Sequence, residues 1–170
     1  MAVDVEHYKQ YIGKPTGTSV ITIERQPVSN FAKAVKDTSP IYQDADAAKA
    51  AGFDSIPTPP TWGFAMGSWG AYPEDQPPSQ GEGASPPSPL MNIIGELMRA
   101  GGLVLHGEQE FEYHKPLTVG MKLTHAGRVA DVYAKESGER VMTFVVTENE
   151  YRDEAGELVL TARMNLIHRS

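Results

Sequence analysis

The chain contains no cysteine, so histidine and carboxylate side chains are its main candidates for proton transfer and metal binding. The absence of cysteine excludes thiolate nucleophiles, zinc–thiolate sites and disulfides. His106 and Glu108 would share one face of a predicted strand, which permits a metal site, although such pairs are commonly solvated. No Gly-x-Ser-x-Gly elbow, His-x-x-x-His pair or Gly-rich phosphate loop is present. Serine-elbow chemistry, helical zinc sites and dinucleotide binding are therefore not indicated.

The segment 36–52 holds a second group of candidates. Asp37 ends a predicted helix just before Ser39-Pro40, and Tyr42 follows two residues after the proline. A carboxylate can act as a general base, whereas a free phenol, with a pKa of about 10, is a poor proton carrier at neutral pH. An Asp in this position also commonly makes local turn hydrogen bonds, and a Tyr commonly packs with its hydroxyl satisfied. The residues alone leave catalytic and structural roles open for both.

The elements that must position these residues follow from hydrophobic periodicity and from turn residues. The spacing predicts helices over 5–12, 27–36, 45–51, 61–69 and 89–101, and strands over 19–23, 104–114, 121–133, 140–152 and 157–168. Asp44 is suited to cap the third helix. The stretch 71–89 is rich in Pro, Gly, Ser and Gln, and it predicts a mobile or extended loop that is long for a compact domain.

One strand, then helices, then four strands in succession is an order typical of an α+β fold with an antiparallel sheet. We expect the four strands to form a meander to which the early strand adds, wrapped around a helix from the middle of the chain. With 170 residues and no internal repeat, a single domain over 1–170 is expected. Alternation in the strand at 104–114 places Glu108, Glu110 and Glu112 on one face.

Three segments carry a recognisable pattern. Residues 36–42 read Lys-Asp-Thr-Ser-Pro-Ile-Tyr and precede an Ala-rich stretch, and residues 58–62 read Thr-Pro-Pro-Thr-Trp. Residues 106–117 read His-Gly-Glu-Gln-Glu-Phe-Glu-Tyr-His-Lys-Pro-Leu. In order and spacing these segments resemble the MaoC-like dehydratases and (R)-specific enoyl-thioester hydratases. Within that family they are similar to the N-terminal-type domains, which resemble the dehydratase part of fungal-type fatty acid synthase. The resemblance covers residues 5–168.

The resemblance implies a hot-dog fold, in which an antiparallel sheet wraps around a central helix. Catalytic members carry Gly-Asp-x-Asn-Pro-aliphatic-His, and their Asp and His act about the β-carbon of the thioester. The matching positions here are Asp37 and Tyr42, so Tyr42 replaces the usual His, and His106 is considered as a substitute proton carrier. The resemblance assigns substrate binding, beside an acyl tunnel, to Ser39, Pro60, Thr61, Trp62 and Gly63.

Two interpretations of the function stay open. The first is an enzyme that hydrates trans-2-enoyl thioesters or dehydrates (R)-3-hydroxyacyl thioesters, with helix N-terminal amides polarising the thioester carbonyl. The second is a non-catalytic, acyl-binding subunit that shapes the tunnel for a second hot-dog subunit with the complete Asp/His pair. A hot-dog thioesterase and a simple acyl-binding protein are weaker alternatives.

The resemblance also implies the partners. The ligand would be an acyl thioester of CoA or of a carrier protein, and exposed edge strands favour a homodimer or a heterodimer with a second hot-dog subunit. No metal or redox cofactor is implied. The net charge of −7 disfavours nucleic acid. No apolar run reaches the length of about 18 residues that predicts a membrane span. The stretch 1–25 shows no signal-peptide pattern, and with the missing cysteine this favours a cytoplasmic location.

Overall fold

A single antiparallel sheet of five strands forms the frame of the molecule. The computed structural model of the chain describes residues 4–85, 87–138 and 140–169. The strands are β1 (Pro15–Thr22), β2 (Leu103–Tyr113), β3 (Lys122–Ser137), β4 (Arg140–Arg152) and β5 (Leu158–Arg169), in the spatial order β1-β3-β4-β5-β2. Val, Ile, Thr and Tyr recur in them, and these side chains fit a pleated, half-buried surface. The predicted α+β class with an antiparallel sheet is confirmed.

The position of β2 corrects the predicted meander. β3, β4 and β5 are neighbours in chain order, but β2 pairs with β5 at the far edge and not with β3. The residues after β2 cross the end of the sheet, where Thr58 N–H donates to Leu117 O and Val119 N–H donates to Ile56 O, each at 2.9 Å. Alternating hydrophobicity identifies strands but not their neighbours, so the sequence pattern favoured a short β2–β3 turn that does not form.

In the described part of the chain, the sheet carries five α-helices. They are α1 (Val5–Lys9), α2 (Arg25–Ala34), α3 (Ala45–Ala50), α4 (Trp62–Trp69) and α5 (Pro89–Arg99). Side-chain oxygens of Asp4, Asp44 and Ser88 accept first-turn N–H groups and so fix where three of them begin. The five predicted helices are confirmed, with somewhat different ends. None of the described helices is long and apolar enough to cross a membrane.

Two apolar clusters fill the space between the helices and the sheet. Trp62 and Met66 of α4 are almost fully buried in the first cluster. Ile93 and Leu97 of α5 are equally buried in the second, together with Tyr8 of α1. Full burial of one such side chain contributes about 1.5–3 kcal/mol. The sheet therefore wraps around α4, a helix from the middle of the chain, with α5 beside it.

Residues 71–85, in the stretch predicted as a loop between α4 and α5, form an irregular segment with a short 3₁₀ helix, Pro73–Asp75, and this segment lies along the outer edge of β1. The side-chain amide of Gln76 exchanges two hydrogen bonds with the backbone of Val20, at 3.0 and 2.9 Å. Thr18 N–H donates to Ser85 Oγ at 2.9 Å. Side chains thus satisfy backbone groups of β1 that a further strand would otherwise pair, and this edge of the sheet is closed.

A β-bulge in β2 separates two residues that were predicted to share a face. The register with β5 shifts between His106 and Glu108. The His106 ring packs on Phe64 of α4, with centroids 5.2 Å apart, whereas Glu108 lies on the outer face and accepts a bond from Asn165 at 2.6 Å. The prediction of a shared face is wrong. Within the described residues, no group of three or more His, Asp or Glu side chains could hold a metal ion.

Candidate functional site

A cleft of about 440 Å³ opens where α4 begins. The turn around Tyr42, the stretch before α4 and the stretch that follows β2 form its walls. Its apolar lining comes from Ile41, Phe53, Pro57, Pro60, Pro116 and Leu117. Its polar groups come from Tyr42, Thr58, Tyr113, His114 and Lys115. A concave, largely apolar surface with a few polar groups is the usual form of a small-molecule site.

Asp37 lies in the tight turn that follows α2, beside the cleft. Its carboxylate accepts the Ser39 N–H at 3.0 Å, and its own N–H donates to Ala32 O at 2.9 Å. The preceding Lys36 has a φ of 59°, in the left-handed region. Catalytic relatives carry glycine at that position, and glycine adopts this conformation without strain. The local turn bond expected of Asp37 is present, while the catalytic role of Asp37 and the binding role of Ser39 stay predictions.

Tyr42 is largely buried, with 8% of its surface exposed, and it lines the cleft. Ser29 Oγ of α2 donates to the Tyr42 carbonyl at 3.1 Å and holds the short 3₁₀ turn Pro40–Tyr42 on α2. Burial raises the pKa of the Tyr42 phenol above 10.0, and the nearby Asp37 carboxylate raises it further. A phenol that retains its proton this firmly can donate a hydrogen bond, but it cannot shuttle protons near neutral pH as a histidine does.

The phenol of Tyr113 closes the N-terminus of α4. Its hydroxyl donates to Pro60 O at 2.7 Å and lies close enough to the Gly63 N–H for that group to lower the pKa of the phenol slightly. Burial raises the pKa of Tyr113 to about 12, so the hydroxyl stays protonated. First-turn N–H groups of a helix have no intrahelical partner and are the donors that could polarise a thioester carbonyl. In this chain the Tyr113 hydroxyl already lies beside the Gly63 donor.

The Pro-Pro-Thr-Trp box sets the start of α4. Trp62 is buried, with 1% exposed, and Thr61 is exposed to solvent. Gly63 has no room for a side chain, because a Cβ there would lie 2.9 Å from Leu160 Cδ2. Pro60 is the residue of the box that lines the cleft. The structure thus places Pro60 at the candidate site and Trp62 in the core, and the substrate-binding roles of the box residues stay predictions.

Two histidines of the third motif are placed differently. His106 lies seven residues before Tyr113, about 23 Å away along an extended strand, and it packs on Phe64. His114 lines the cleft, and its Nε2 bonds with Thr161 Oγ1 at 3.0 Å. His114 was not singled out from the sequence. Its position at the end of a predicted strand, beside a Lys-Pro turn, is the signal that could have found it.

Lys115 brings a positive charge to the cleft, but two carboxylates hold it. Its Nζ lies 2.9 Å from Asp153 Oδ2 and also contacts Glu157. Hydrogen bonds to Glu157 and to Asp153 raise the pKa of Lys115. A phosphate-bearing carrier that approached this side of the cleft would have to compete with both carboxylates for the ammonium group.

A row of polar side chains ties β1, β3 and β4 together on the helix side of the sheet. Ser19 Oγ bonds with His125 Nδ1 at 3.1 Å, and His125 Nε2 bonds with Asn149 Oδ1 at 2.9 Å. The His125 ring also stacks on Tyr151, with centroids 5.0 Å apart. Burial lowers the pKa of His125, against a smaller raising effect of the bond to Asn149.

A five-stranded antiparallel sheet wrapped around a buried helix, with a cleft where that helix begins, defines a hot-dog domain of the dehydratase kind. The family model for the FAS1-like dehydratase domain region matches residues 10–162, and the chain belongs to this family. The chain is 31% identical over 154 residues to a UPF0336 protein of Saccharopolyspora erythraea, a match that covers 89% of this chain and 84% of the relative. The sequence-level resemblance to MaoC-like dehydratases is confirmed.

Solved structures share the fold. A chain of the ChsH1-ChsH2 complex from Mycobacterium tuberculosis superposes with a TM-score of 0.72 at 24% identity, over 96% of this chain and 88% of that chain. A chain of the HadBC complex from the same organism, described as a 3R-hydroxyacyl-ACP dehydratase, has a TM-score of 0.62 at 21% identity, over 89% of this chain and 95% of that chain. At these identities the likeness shows the fold alone.

Proposed function

We propose that this chain is the acyl-binding subunit of a heteromeric hot-dog hydratase or dehydratase. Its ligands would be enoyl or (R)-3-hydroxyacyl thioesters, and a second hot-dog subunit would supply the histidine that carries the proton. Tyr42 is the observation that carries the proposal. A buried phenol lines the cleft where catalytic relatives have a histidine, and burial holds its proton above neutral pH.

The α4 N-terminus gives the proposal independent support. A self-sufficient hydratase would offer a free amide to the thioester carbonyl, because enolate-like charge develops there during the reaction. The Tyr113 hydroxyl already lies beside the Gly63 amide and donates its own proton to Pro60. The apolar walls of the cleft still suit an acyl chain, so binding without turnover is the behaviour that this geometry favours.

The likeness to two complexes also supports a second subunit. Both the ChsH1-ChsH2 and the HadBC structures are assemblies of two different proteins, and this chain matches nearly the whole length of a chain in each. One incomplete hot-dog beside one complete hot-dog would join an acyl-binding surface to an Asp/His pair. The carrier would be CoA or a carrier protein.

The test combines binding with turnover. Purified chain is mixed with crotonyl-CoA and with a longer enoyl-CoA; binding is followed by calorimetry and hydration by the loss of enoyl absorbance. We expect binding without hydration, and hydration when a second hot-dog subunit with the complete motif is added. Hydration by the chain alone that disappears in Asp37→Asn would contradict the proposal and identify a self-sufficient enzyme. Failure to bind any acyl-CoA would remove the acyl-binding role.

A matched pair of ligands tests whether the cleft forms a hydrogen bond with the thioester carbonyl. Butyryl-CoA carries the thioester carbonyl, and S-butyl-CoA is the thioether that lacks it. Because the Tyr113 hydroxyl lies beside the Gly63 N–H, we expect the wild-type chain to bind both ligands with equal affinity. Tyr113→Phe frees that donor, and the thioester should then bind more tightly than the thioether. A strong preference of the wild-type chain for the thioester would mean that the carbonyl already has a donor.

A second candidate function is a hydratase that is active alone, and His114 is the observation that favours it. His114 lines the same cleft as Tyr42, and a histidine can transfer protons near neutral pH. In that case the chain alone would hydrate crotonyl-CoA, and His114→Gln would abolish the reaction while His106→Gln would leave it unchanged. Retained activity in His114→Gln would exclude this residue as the proton carrier.

A further inference from the structure

The cleft continues into a second groove on the side of Lys115. The groove has a volume of about 290 Å³, and Phe53, Lys115 and Pro116 line both the groove and the cleft. Its lining also holds two carboxylates, those of Asp54 and Asp153. A thioester whose acyl chain occupies the cleft extends its carrier toward solvent, and a carrier that follows this groove passes the lysine and both carboxylates.

Lys115 is placed where a thioester site would present a cation to phosphate groups. Among the described residues that line the cleft and the groove, it is the single lysine or arginine. Its N–H donates to Val159 O at 3.3 Å, and the His114 N–H donates to the same oxygen at 2.9 Å, so β5 fixes the backbone of Lys115. A free ammonium group is a good partner for phosphate. The position of Lys115 alone would therefore predict that it binds the phosphates of CoA.

The turn between β4 and β5 holds a first carboxylate against Lys115. Asp153 Oδ1 accepts the N–H groups of Ala155 and Glu157, at 3.1 and 2.9 Å, and Asp153 Oδ2 accepts the Lys115 ammonium at 2.9 Å. The ammonium group and the Glu157 N–H lower the pKa of Asp153, so its charge persists at neutral pH. Since the turn already orders this carboxylate, the ion pair with Lys115 requires little further ordering of Asp153.

Glu157 is the second carboxylate that contacts the Lys115 ammonium. One ammonium group paired with two carboxylates leaves this cluster with an excess of negative charge. Asp54 adds a further exposed carboxylate to the same groove. The groove is therefore acidic although a lysine lines it.

Other charged groups near the cleft do not reverse this sign. Asp37 lies near Tyr42, and its carboxylate adds to the negative charge. Arg25 lies on the same side, where its guanidinium donates to Gln43 O at 3.1 Å, and it is not part of the lining. A phosphate in the groove thus meets like charges, which salt at physiological strength screens only in part at short range.

The charges of a CoA thioester lie in its nucleotide. The nucleotide carries a diphosphate and a 3′-phosphate, whereas the pantetheine arm and a simple acyl chain carry no charge. A free lysine would attract these phosphates and strengthen the binding of CoA. A lysine that two carboxylates hold offers a phosphate only a place beside like charges, and such a juxtaposition weakens binding. The effect of the nucleotide on affinity should then be unfavourable.

We infer that Asp153 and Glu157 determine the specificity of this cleft by keeping Lys115 from phosphate groups. The chain then binds a thioester through its acyl and pantetheine parts, and the nucleotide of CoA weakens the binding. The inference rests on the proposed function for the acyl thioester itself. It adds the residues that select among thioester carriers, and it treats Lys115 as a phosphate contact that the two carboxylates block.

Butyryl-pantetheine and butyryl-CoA are the test ligands, because they share the acyl group, the thioester and the pantetheine arm and differ in the nucleotide. Calorimetry at low salt measures the Kd of the wild-type chain for each ligand. We expect butyryl-pantetheine to bind about tenfold more tightly than butyryl-CoA. The difference should shrink in about 0.5 M salt, because screening shortens the range of the repulsion. Equal or tighter binding of butyryl-CoA at low salt would overturn the inference.

The variant Asp153→Asn/Glu157→Gln releases Lys115, and its asparagine keeps an oxygen for the turn bonds. It should bind butyryl-CoA about tenfold more tightly than the wild type does, with unchanged affinity for butyryl-pantetheine. Glu108→Gln/Glu110→Gln is the matched control, since it also removes two charges but at positions that do not line the cleft or the groove. An equal gain in both variants would assign the effect to net charge and refute the role of Asp153 and Glu157.

Two further variants isolate the lysine and guard against misfolding. Lys115→Met, added to the double variant, should remove the gain in butyryl-CoA affinity, and a gain that persists would overturn the assignment of Lys115. Glu157→Gln alone changes a residue whose side chain is 63% exposed, so it covers the case in which the double variant does not fold. It should strengthen butyryl-CoA binding about threefold. Circular dichroism checks the fold of each variant, and a folded single variant without any gain would contradict the inference.

The nucleotide end of CoA separates this inference from the proposed function. Adenosine 3′,5′-bisphosphate carries phosphate groups but no acyl or pantetheine part, and NMR chemical-shift changes follow its binding. The Asp153→Asn/Glu157→Gln variant should bind it more tightly than the wild type does. That difference without binding of any acyl compound would keep the block on Lys115 and discard the acyl-binding function. Acyl binding with equal affinity of both proteins for the nucleotide would do the reverse.

Discussion

The edges of β1 and β2 differ in how the sheet handles unpaired backbone groups, which on an edge strand can pair with another chain. At β1, the Gln76 amide and the Ser85 hydroxyl take the place of a missing strand. At β2, the backbone is left open, with apolar side chains beside one half and a row of carboxylates beside the other. The open edge is also the one that borders the cleft, through Tyr113. The comparison teaches that two edges of one sheet can differ in how their backbone groups are satisfied, and that the edge without such side-chain bonds is the one next to the candidate site.

The largest effect is expected from breaking the closed edge at Gly70. Its carbonyl oxygen accepts the Thr22 N–H at 2.8 Å, and a Cβ at this position would lie 2.2 Å from Thr22 O. Gly70→Ala must therefore push β1 away from the end of α4 and should lower the free energy of unfolding by about 3 kcal/mol. Urea denaturation followed by circular dichroism measures the change.

Gly95→Ala is the control for the glycine substitution. Gly95 lies inside α5, and its added Cβ would meet the flexible Arg99 side chain at 3.5 Å. Alanine favours a helix interior over glycine, so this variant should gain about 0.5–1 kcal/mol. Equal destabilisation by both alanine variants would show that the β1 edge does not depend on the close approach at Gly70.

Gln76→Ala should open the β1 edge without a steric clash. The substitution removes two hydrogen bonds to Val20 and leaves its N–H and C=O without a protein partner. We expect a loss of about 1–2 kcal/mol in the free energy of unfolding and a concentration-dependent increase in light scattering, because a second edge becomes available for pairing. Gln80→Ala, at an exposed position of the same segment, should change neither quantity.

Tyr113→Phe tests the residue that links the open edge to the cleft. The Pro60 carbonyl loses its hydrogen-bond donor, so the free energy of unfolding should fall by about 1 kcal/mol. Tyr133→Phe is the matched control: that ring stacks on Phe144 on the outer face, and the change should stay within about 0.5 kcal/mol. Thermal unfolding monitored by calorimetry compares the two variants. If Tyr113→Phe is as stable as the wild type, the Tyr113 hydroxyl does not stabilise the start of α4.

The smallest effect is expected from the pH dependence of His125, which binds Ser19 of β1. Burial lowers its pKa in the folded state below 6.5, so the unfolded chain takes up a proton first as the pH falls. Stability should be complete above about pH 7 and should decline as the pH falls from 6.5 toward the lowered pKa of the folded state. His125→Gln should flatten this part of the stability–pH curve. A wild-type curve with the same slope as the variant would show that His125 is not the group responsible.

The helices and strands were predictable because the sequence patterns that indicate them involve residues close together in the chain. Asp44 caps α3 through the Ala47 N–H at 2.7 Å, as its position before the Ala-rich stretch predicted. The strand predicted over 140–152 has the same bounds as β4 (Arg140–Arg152). The neighbour of β2 was not predictable in the same way, because pairing with β5 depends on a crossing that residues 56–58 hold at the end of the sheet.

The candidate site was predictable in part. Tyr42 was identified from the sequence as the residue that replaces a histidine, and it does line the cleft. The turn bond of Asp37 was likewise expected from its place before Ser-Pro. His114 and Tyr113 were not singled out, since their importance comes from facing residues about 50 positions earlier in the chain, such as Pro60.

The sequence by itself determined the α+β class, the order of the elements and the family, since these follow from periodicity, turn residues and motif spacing. It also gave the prediction, from the resemblance, that Tyr42 stands where catalytic relatives carry a histidine. Only the tertiary structure decided that the Tyr113 hydroxyl lies at the start of α4, that His106 and Glu108 lie on opposite faces, and that one edge is closed while the other is open. Each of these depends on contacts between residues far apart in the chain, and hydrophobic patterning does not specify which distant groups will meet.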